Sequence, residues 1–391
     1  MSMQILISGA SVAGPVLAYW LSKYGFEVTV VERAATLRKT GGHAVDLFRP
    51  AMQIVTKIGL LEQVRSKATG TDTIVIHRAG AKPVTVDLRK LYTAISDDHL
   101  EIMRDDLSEI FYDATRDNVE YVFADSITSI SDDGEVAFED GPSRRFDVIV
   151  GADGLHSNVR ALTFGPEAGF STWIGAYLSV VSMPNFLNLD GVMETIAEVG
   201  RIAGVYSAAH LDDARAVFLF RTPKPLQYHH RDEPRQKQLL REHFADAGWE
   251  VPRLLAALDG TGAFYRVTLV GDAGYCPGPA VGGSTSLAIV GAYVLAGELA
   301  AHMPDHSAAF TAYEREIGDY VKRSRTFAVS AAKKVVPARP LDLWTVVAAA
   351  RLTNVLPGSV SRAIAKINSG TFRLHDSISL NDYPRPETTA T

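Results

Sequence analysis

The chain of 391 residues holds one cysteine, Cys276, so no disulfide can form within it, and it reads as a protein of the reducing cytoplasm. No basic run stands out, and the formal net charge of −6 argues against a nucleic-acid or anionic-membrane partner. The N-terminus enters a strand-like stretch without a basic region before it, so no signal peptide is expected. The apolar stretch from Leu341 to Leu352 is broken by Asp342 and Arg351 and is too short to span a bilayer. His43 and His156 lack a Cys or Glu at ligand spacing, so no metal site is expected. What remains is ordinary for a globular protein, 47% apolar and 21% charged. The length suggests two intimately connected domains.

The first thirty-odd residues carry the strongest pattern. Gln4-Ile5-Leu6-Ile7 is an apolar run closed by Gly9, which reads as a buried parallel strand entering a sharp turn. Gly14 lets the following helix pack closely on that strand, and the helix N-terminus offers N–H groups to a pyrophosphate. Apolar residues at helical spacing run from Val16 to Lys23, with Gly25 at a C-cap position. Val28 to Val31 forms a second apolar strand ending in Glu32, about 20 residues past the turn, where an acid binds a ribose hydroxyl. Ser11 replaces the middle glycine of the dinucleotide fingerprint, and its hydroxyl is short enough to meet a phosphate oxygen. An ordinary βαβ unit with small residues at its turn is the bland alternative.

Further along, the pair Gly41-Gly42 followed by His43 and Asp46 suggests a loop near a ligand, with a plain surface turn equally open. Ala51 to Val64 reads as one amphipathic helix, and Thr73 to Leu88 as two antiparallel strands turning at Ala79-Gly80. Leu100 to Leu107 reads as the opening of a helix with acids in its first turn. Strands are expected over Val119 to Phe123 and Ile127 to Phe138. Phe146 to Val150 then runs into a second glycine turn, Asp153-Gly154. The stretch from Trp173 to Arg221 is rich in strand formers, and Arg235 to Ala247 reads as a helix. Val267 to Val270 enters a third turn at Gly271-Asp272, followed by a Pro/Gly loop and a long helix from Ser284 to His302. Helices dominate thereafter, and the polar tail from Asn381 reads as disordered.

Three strand-to-glycine turns exceed the needs of one dinucleotide unit. The ordered set Gly9 to Gly14, Asp153 to Arg160 and Gly271-Asp272-Ala273 resembles the class A flavoprotein monooxygenases. Arg104-Asp105-Asp106-Leu107 and Gly291-Ala292-Tyr293 are similar to the branch that holds tetracycline-modifying and polyketide hydroxylases. The resemblance implies an α/β fold: a Rossmann-like FAD-binding domain, a substrate domain with a mostly antiparallel sheet, and C-terminal helices. It implies FAD-binding segments 1–72, 100–172 and 265–320, substrate-domain segments 73–99 and 173–264, and helices with a tail over 321–391.

The resemblance also implies roles for single residues. Gly9, Ser11, Ala13 and Gly14 hold the FAD pyrophosphate, and Glu32 with Arg33 holds the adenosine end. Arg104 reaches the ribityl–phosphate region, Asp272 binds the ribityl or pyrophosphate end, and Asp46 brings a carboxylate to the flavin. Pro279, Gly282, Gly283 and Ser284 lead into a helix whose N-terminal dipole faces the flavin pyrimidine edge. Asp153 supports FAD and the transient pyridine nucleotide, and Arg38 contacts NADPH. Arg201, Tyr206, Phe218, Phe220 and Arg221 are candidate substrate-pocket residues. No catalytic side chain is expected, because NAD(P)H reduces the flavin and a C4a-hydroperoxide then oxygenates an aromatic or polyketide-like molecule. The expected protein is a monomer without a membrane partner.

Relatives place a full strand and turn before the third motif, whereas here Phe264-Tyr265 runs almost directly into Arg266. If a strand is missing there, part of the active-site floor is gone. Two alternatives therefore stay in view: a flavin oxidoreductase without oxygen insertion, and a non-catalytic flavin- or ligand-binding protein that sequesters its ligand.

Overall fold

The structure, a computed structural model, describes residues 3–37, 42–89, 96, 98–131, 133–228, 232–260, 264–265, 272–276, 283–355 and 376–383. Strand β1 (Gln4–Ser8), helix α1 (Ala13–Lys23) and strand β2 (Glu27–Glu32) form the expected unit. β1 and β2 pair in parallel, as a crossover through a helix requires. Gly25 ends α1 with φ of 86°, and Phe26 N–H donates to Leu21 O at 3.1 Å, closing the last turn.

The loop expected after Gly42 is shorter than that. Ala44–Phe48 forms strand β3, because Val45, Leu47 and Phe48 find a buried face. The helix expected over Ala51 to Val64 is two helices, α2 (Arg49–Ile58) and α3 (Leu61–Ser66). Gly59 divides them at φ of 87°, a left-handed conformation that a helix cannot pass through. β4 (Thr73–Arg78) and β5 (Ala81–Asp87) form the expected hairpin.

Leu100 to Met103, expected to open a helix, instead belongs to strand β6 (His99–Met103), which pairs antiparallel with β3. The helix α4 begins only at Arg104 and runs to Asp113, with Asp105 and Asp106 in its first turn. β7 (Glu120–Phe123) joins β2 in parallel. β8 (Ile127–Ile130), β9 (Glu135–Phe138) and β10 (Arg144–Arg145) make a small antiparallel sheet. β11 (Val148–Gly151) returns to pair with β1, giving a parallel sheet of order β11-β1-β2-β7. Helix α5 (Asn158–Phe164) follows the second glycine turn.

The middle of the chain supplies β12 (Ala176–Pro184), β13 (Val192–Glu198), β14 (Arg201–Tyr206) and β15 (Asp213–Arg221). Helices α6 (Glu233–Phe244) and α7 (Val251–Ala256) cover one face of them. The two-residue strand β16 (Phe264–Tyr265) reaches the sheet edge and pairs with β12. The seven-stranded sheet has order β16-β12-β15-β14-β13-β4-β5, antiparallel throughout except for β13 with β4. The expected strand Val267 to Val270 lies outside the described residues.

After the one-turn helix α8 (Asp272–Tyr275), the long helix α9 (Ser284–His302) spans the residues expected of it. α9 is long and apolar enough to cross a membrane by length and composition, yet 89% of its apolar window is buried inside the protein. An apolar surface on all sides suits a helix packed all round, here between α1 and helix α10 (His306–Val335). Trp20 of α1 meets Tyr293 of α9 edge-on, 4.9 Å between ring centroids. Helix α11 (Pro340–Val355) lies against β5.

The tail corrects another expectation. Over Asp376 to Tyr383 the chain returns to the core: Tyr293 Oη donates to Asn381 O, and Tyr383 Oη donates to Glu298 Oε1, at 2.8 and 2.7 Å. Tyr383 fills the notch left by Gly297, where an added Cβ would fall 2.2 Å from its ring. The rest of the tail, 384–391, lies outside the described residues.

Candidate functional site

Two of the three glycine turns meet at the C-terminal ends of β1 and β11. Gly9 adopts φ of 110°, and a Cβ there would lie 2.3 Å from Ala152 O in the second turn. At Gly14 a Cβ would lie 1.9 Å from Gly9 O, so the helix can approach the strand only with glycine at that place. The glycine roles inferred from the fingerprint are therefore steric facts of this chain.

α1 starts at Ala13 with no side chain capping its first turn, which leaves its N-terminal end to a ligand. Arg104, 7% exposed, brings its guanidinium to that end: Nη2 and Nε donate to Ser11 Oγ at 2.8 and 3.2 Å. A buried cation beside an uncapped helix N-terminus is a donor set for a pyrophosphate. Glu32 sits at the end of β2, its carboxylate accepting Ala10 N–H and Ala34 N–H, each at 2.9 Å. Arg33 follows it, exposed. The residues present fit the dinucleotide part of FAD.

Asp153 is occupied within the protein. Its carboxylate accepts Asn158 N–H at 2.8 Å, Val159 N–H at 3.0 Å and Ser157 Oγ at 2.5 Å, capping α5. Arg160 Nη1 donates to Ala273 O at 2.9 Å, tying the second motif to the third. Arg38, Pro279 and Gly282 lie outside the described residues, as does the side chain of Asp272.

Asp46 faces a cavity of ≈ 210 Å³ between the small β3–β6 sheet, the seven-stranded sheet and the N-terminus of α9. Ser284 and Thr285 bring the α9 N-terminus to its wall, following the N-cap Gly283. Ser286 locks the helix onto β3, accepting Phe48 N–H at 2.9 Å and donating to Asp46 O at 3.1 Å. Asp46 Oδ1 pairs with His99 Nε2 at 2.7 Å. Across the ladder Asp46 faces Glu101, which also lines the cavity and whose carboxyl accepts the Thr69 hydroxyl. Burial, then the neighbouring Asp46 charge, push the Glu101 carboxyl up to about 7. Burial, with Arg104 adding to it, pushes His43 down to about 3, so its imidazole is neutral at pH 7.

Of the five candidate pocket residues, Tyr206 lines this cavity; its Oη accepts Ala44 N–H at 2.7 Å. Phe218 and Phe220 face the other way, into the apolar layer under α6 and α7. Strand alternation is the reason: Val217 faces the cavity, so its neighbours in β15 point oppositely. Arg201 is also turned from the cavity, pairing with Glu198 and Asp246 at 2.6 Å each. Arg221 lies at the far end of β15 and donates to Val336 O at 3.2 Å. The cavity wall instead uses Leu178, Val180, Met193 and Val217.

Glu101 went unnoticed in the sequence because the helical reading of Leu100 to Met103 hid its place opposite Asp46. Arg215 was missed too. It is 3% exposed, and its Nε donates to Gly42 O at 2.8 Å, joining the substrate-side sheet to the segment before β3. Its signal was a cation set between Ala214 and Ala216 in an otherwise apolar strand interior.

Comparison with known proteins accords with this geometry. The FAD binding domain family model matches residues 2–328. A flavin-dependent monooxygenase of Legionella longbeachae is 34% identical over 346 residues, covering 84% of this chain and 88% of that one. Another, from an unidentified prokaryote, is 35% identical over 356 residues, covering 87% and 92%. The crystal structure of the tetracycline destructase Tet(55) superposes with a TM-score of 0.80 at 31% identity, covering 98% of this chain and 99% of the other. The chain therefore belongs to the FAD binding domain family and is an FAD-dependent class A monooxygenase.

Proposed function

We propose that the protein uses NAD(P)H and O₂ to hydroxylate an aromatic or polyketide-like small molecule held in the cavity between β3–β6 and the seven-stranded sheet. The observation that carries this reading is the composition of the cavity wall. Asp46, Ser284 and Thr285 come from the cofactor side, and Leu178, Val180, Met193, Tyr206 and Val217 from the seven-stranded sheet. An apolar wall with a few convergent polar groups suits a ring system bearing oxygens. Resemblance to a tetracycline destructase over nearly the whole chain supports a polyketide-like ligand.

Gly9, Ser11, Ala13, Gly14, Glu32, Arg33 and Arg104 would hold the dinucleotide part of FAD, with Asp153 supporting that site by capping α5 beside it. Asp46 and the 279–284 segment would hold its flavin end, Asp272 the ribityl or pyrophosphate end, and Arg38 the nicotinamide cofactor. Bound FAD supplies electron transfer and the activation of O₂. The protein's residues orient the ligand and keep water away from the reacting atoms. Segments 1–72, 100–172 and 265–320 form the cofactor part in this reading, and 73–99 with 173–264 the substrate part.

The test is NADPH consumption by the FAD-loaded protein with phenols and tetracyclic polyketides, tracing isotopic oxygen from O₂ into product. Stimulated consumption with labelled product is expected. Hydrogen peroxide as the sole oxygen product across the panel would overturn hydroxylation and favour a reductase or oxidase.

A further inference from the structure

Resting on the reading above, we propose that Asp46 and Glu101, direct partners across the β3–β6 ladder, keep one proton between them on Glu101, and that this acid selects ligands that offer it an acceptor oxygen, such as the enolate or phenolate of a polyketide-like compound. The geometry begins in the β3–β6 ladder, where Asp46 and Glu101 are direct antiparallel partners. Directly opposed side chains share a face and lie close, and two like charges there repel. Both residues line the same cavity. A close carboxyl pair relieves the repulsion by keeping one proton.

The surroundings decide which member keeps it. His99, two residues along the same face of β6, pairs with Asp46 Oδ1 at 2.7 Å, so the Asp46 carboxyl already has a hydrogen-bond partner of its own. Glu101 receives a hydroxyl hydrogen bond from Thr69, and its main-chain oxygen accepts Thr69 N–H at 2.9 Å, so its position is held from two sides. From β14 the Tyr206 phenol faces the pair, and burial holds it well above the usual tyrosine range, hence neutral. Arg215 on β15 reaches the same neighbourhood through Tyr206, and His43 on the wall is neutral. Burial and Asp46 push Glu101 up to about 7, in the direction the geometry requires.

A neutral carboxylic acid donates a hydrogen bond, whereas a carboxylate only accepts. A wall built to donate to a ligand oxygen rejects analogues that lack the acceptor, because its own buried group is then left unpaired. Asp46 would repel an anionic oxygen, so the ligand oxygen is directed to the Glu101 side of the pair.

The test uses FAD-loaded protein, with Glu101→Gln as the neutral donor-bearing variant and Asp46→Asn as the variant that removes the facing charge. Infrared difference spectra of wild type against Glu101→Gln are expected to show a protonated carboxyl band at about pH 6 that fades by about pH 8. Asp46→Asn is expected to shift that fading to lower pH. Tetracycline affinity, read by flavin absorbance, is expected to fall about tenfold more over this range in wild type than in Glu101→Gln. No carboxyl band at about pH 6, or the same pH profile of binding in both proteins, would overturn the proposal. A band without binding of tetracycline or phenol by either protein upholds the acid and overturns the aromatic or polyketide reading instead.

Discussion

Replacing Glu101 with Gln should stabilise the folded protein by an amount that grows with pH. The folded state holds the Glu101 proton up to about 7, against 4.5 for a free glutamate, so between those values the folded chain binds more protons than the unfolded one. Stability is then unpenalised below pH 4.5, falls as pH rises through the window, and carries the full cost above about 7. At about 1.4 kcal/mol per pH unit, that interval amounts to about 3–4 kcal/mol for a group this deeply set. Gln keeps an oxygen for the Thr69 hydroxyl and cannot ionise, so it escapes the cost. The assay is urea unfolding of FAD-loaded wild type and variant at a series of pH values, comparing midpoints. The stability difference should be near zero at about pH 4.5 and approach about 3–4 kcal/mol by about pH 8. A difference that stays constant with pH, or shrinks as pH rises, would refute the assignment of the raised carboxyl to Glu101.

Arg104→Ala should weaken FAD binding roughly ten- to a hundredfold, since it removes a buried cation from the α1 N-terminus, and flavin fluorescence titration would show it. Phe218→Ala should cost about 3–5 kcal/mol of stability by emptying a fully buried site under α6, with ligand affinity unchanged at temperatures where the variant stays folded. Calorimetry with ligand titration separates the two effects. Gly297→Ala should drive the Tyr383 ring from its notch, and faster amide hydrogen exchange over 376–383 is the expected readout.

Local pattern was enough for the parallel sheet and its glycine turns. An apolar run, a glycine and a helix period sit within about thirty residues, and their conformations depend on near neighbours. The same holds for α9, a mostly apolar stretch that follows a Pro/Gly loop in the sequence. The places of Ser11 before α1 and of Glu32 at the end of β2 were legible for the same reason, as both lie on that short unit.

Pairing between distant segments was not legible. Ala44–Phe48 and His99–Met103 became strands because each is the other's partner across the ladder, and neither stretch alone carries an alternation strong enough to announce it. The pocket face of β15 was decided in the same way. Its residues alternate between two buried faces, so hydrophobicity could not tell Val217 at the cavity from Phe218 under the helices. The sequence by itself determined the dinucleotide-binding unit, the family and thus the chemistry of the cofactor. Only tertiary structure decided that Asp46 and Glu101 stand face to face, because a contact across so many residues exists only once the sheets have packed around it.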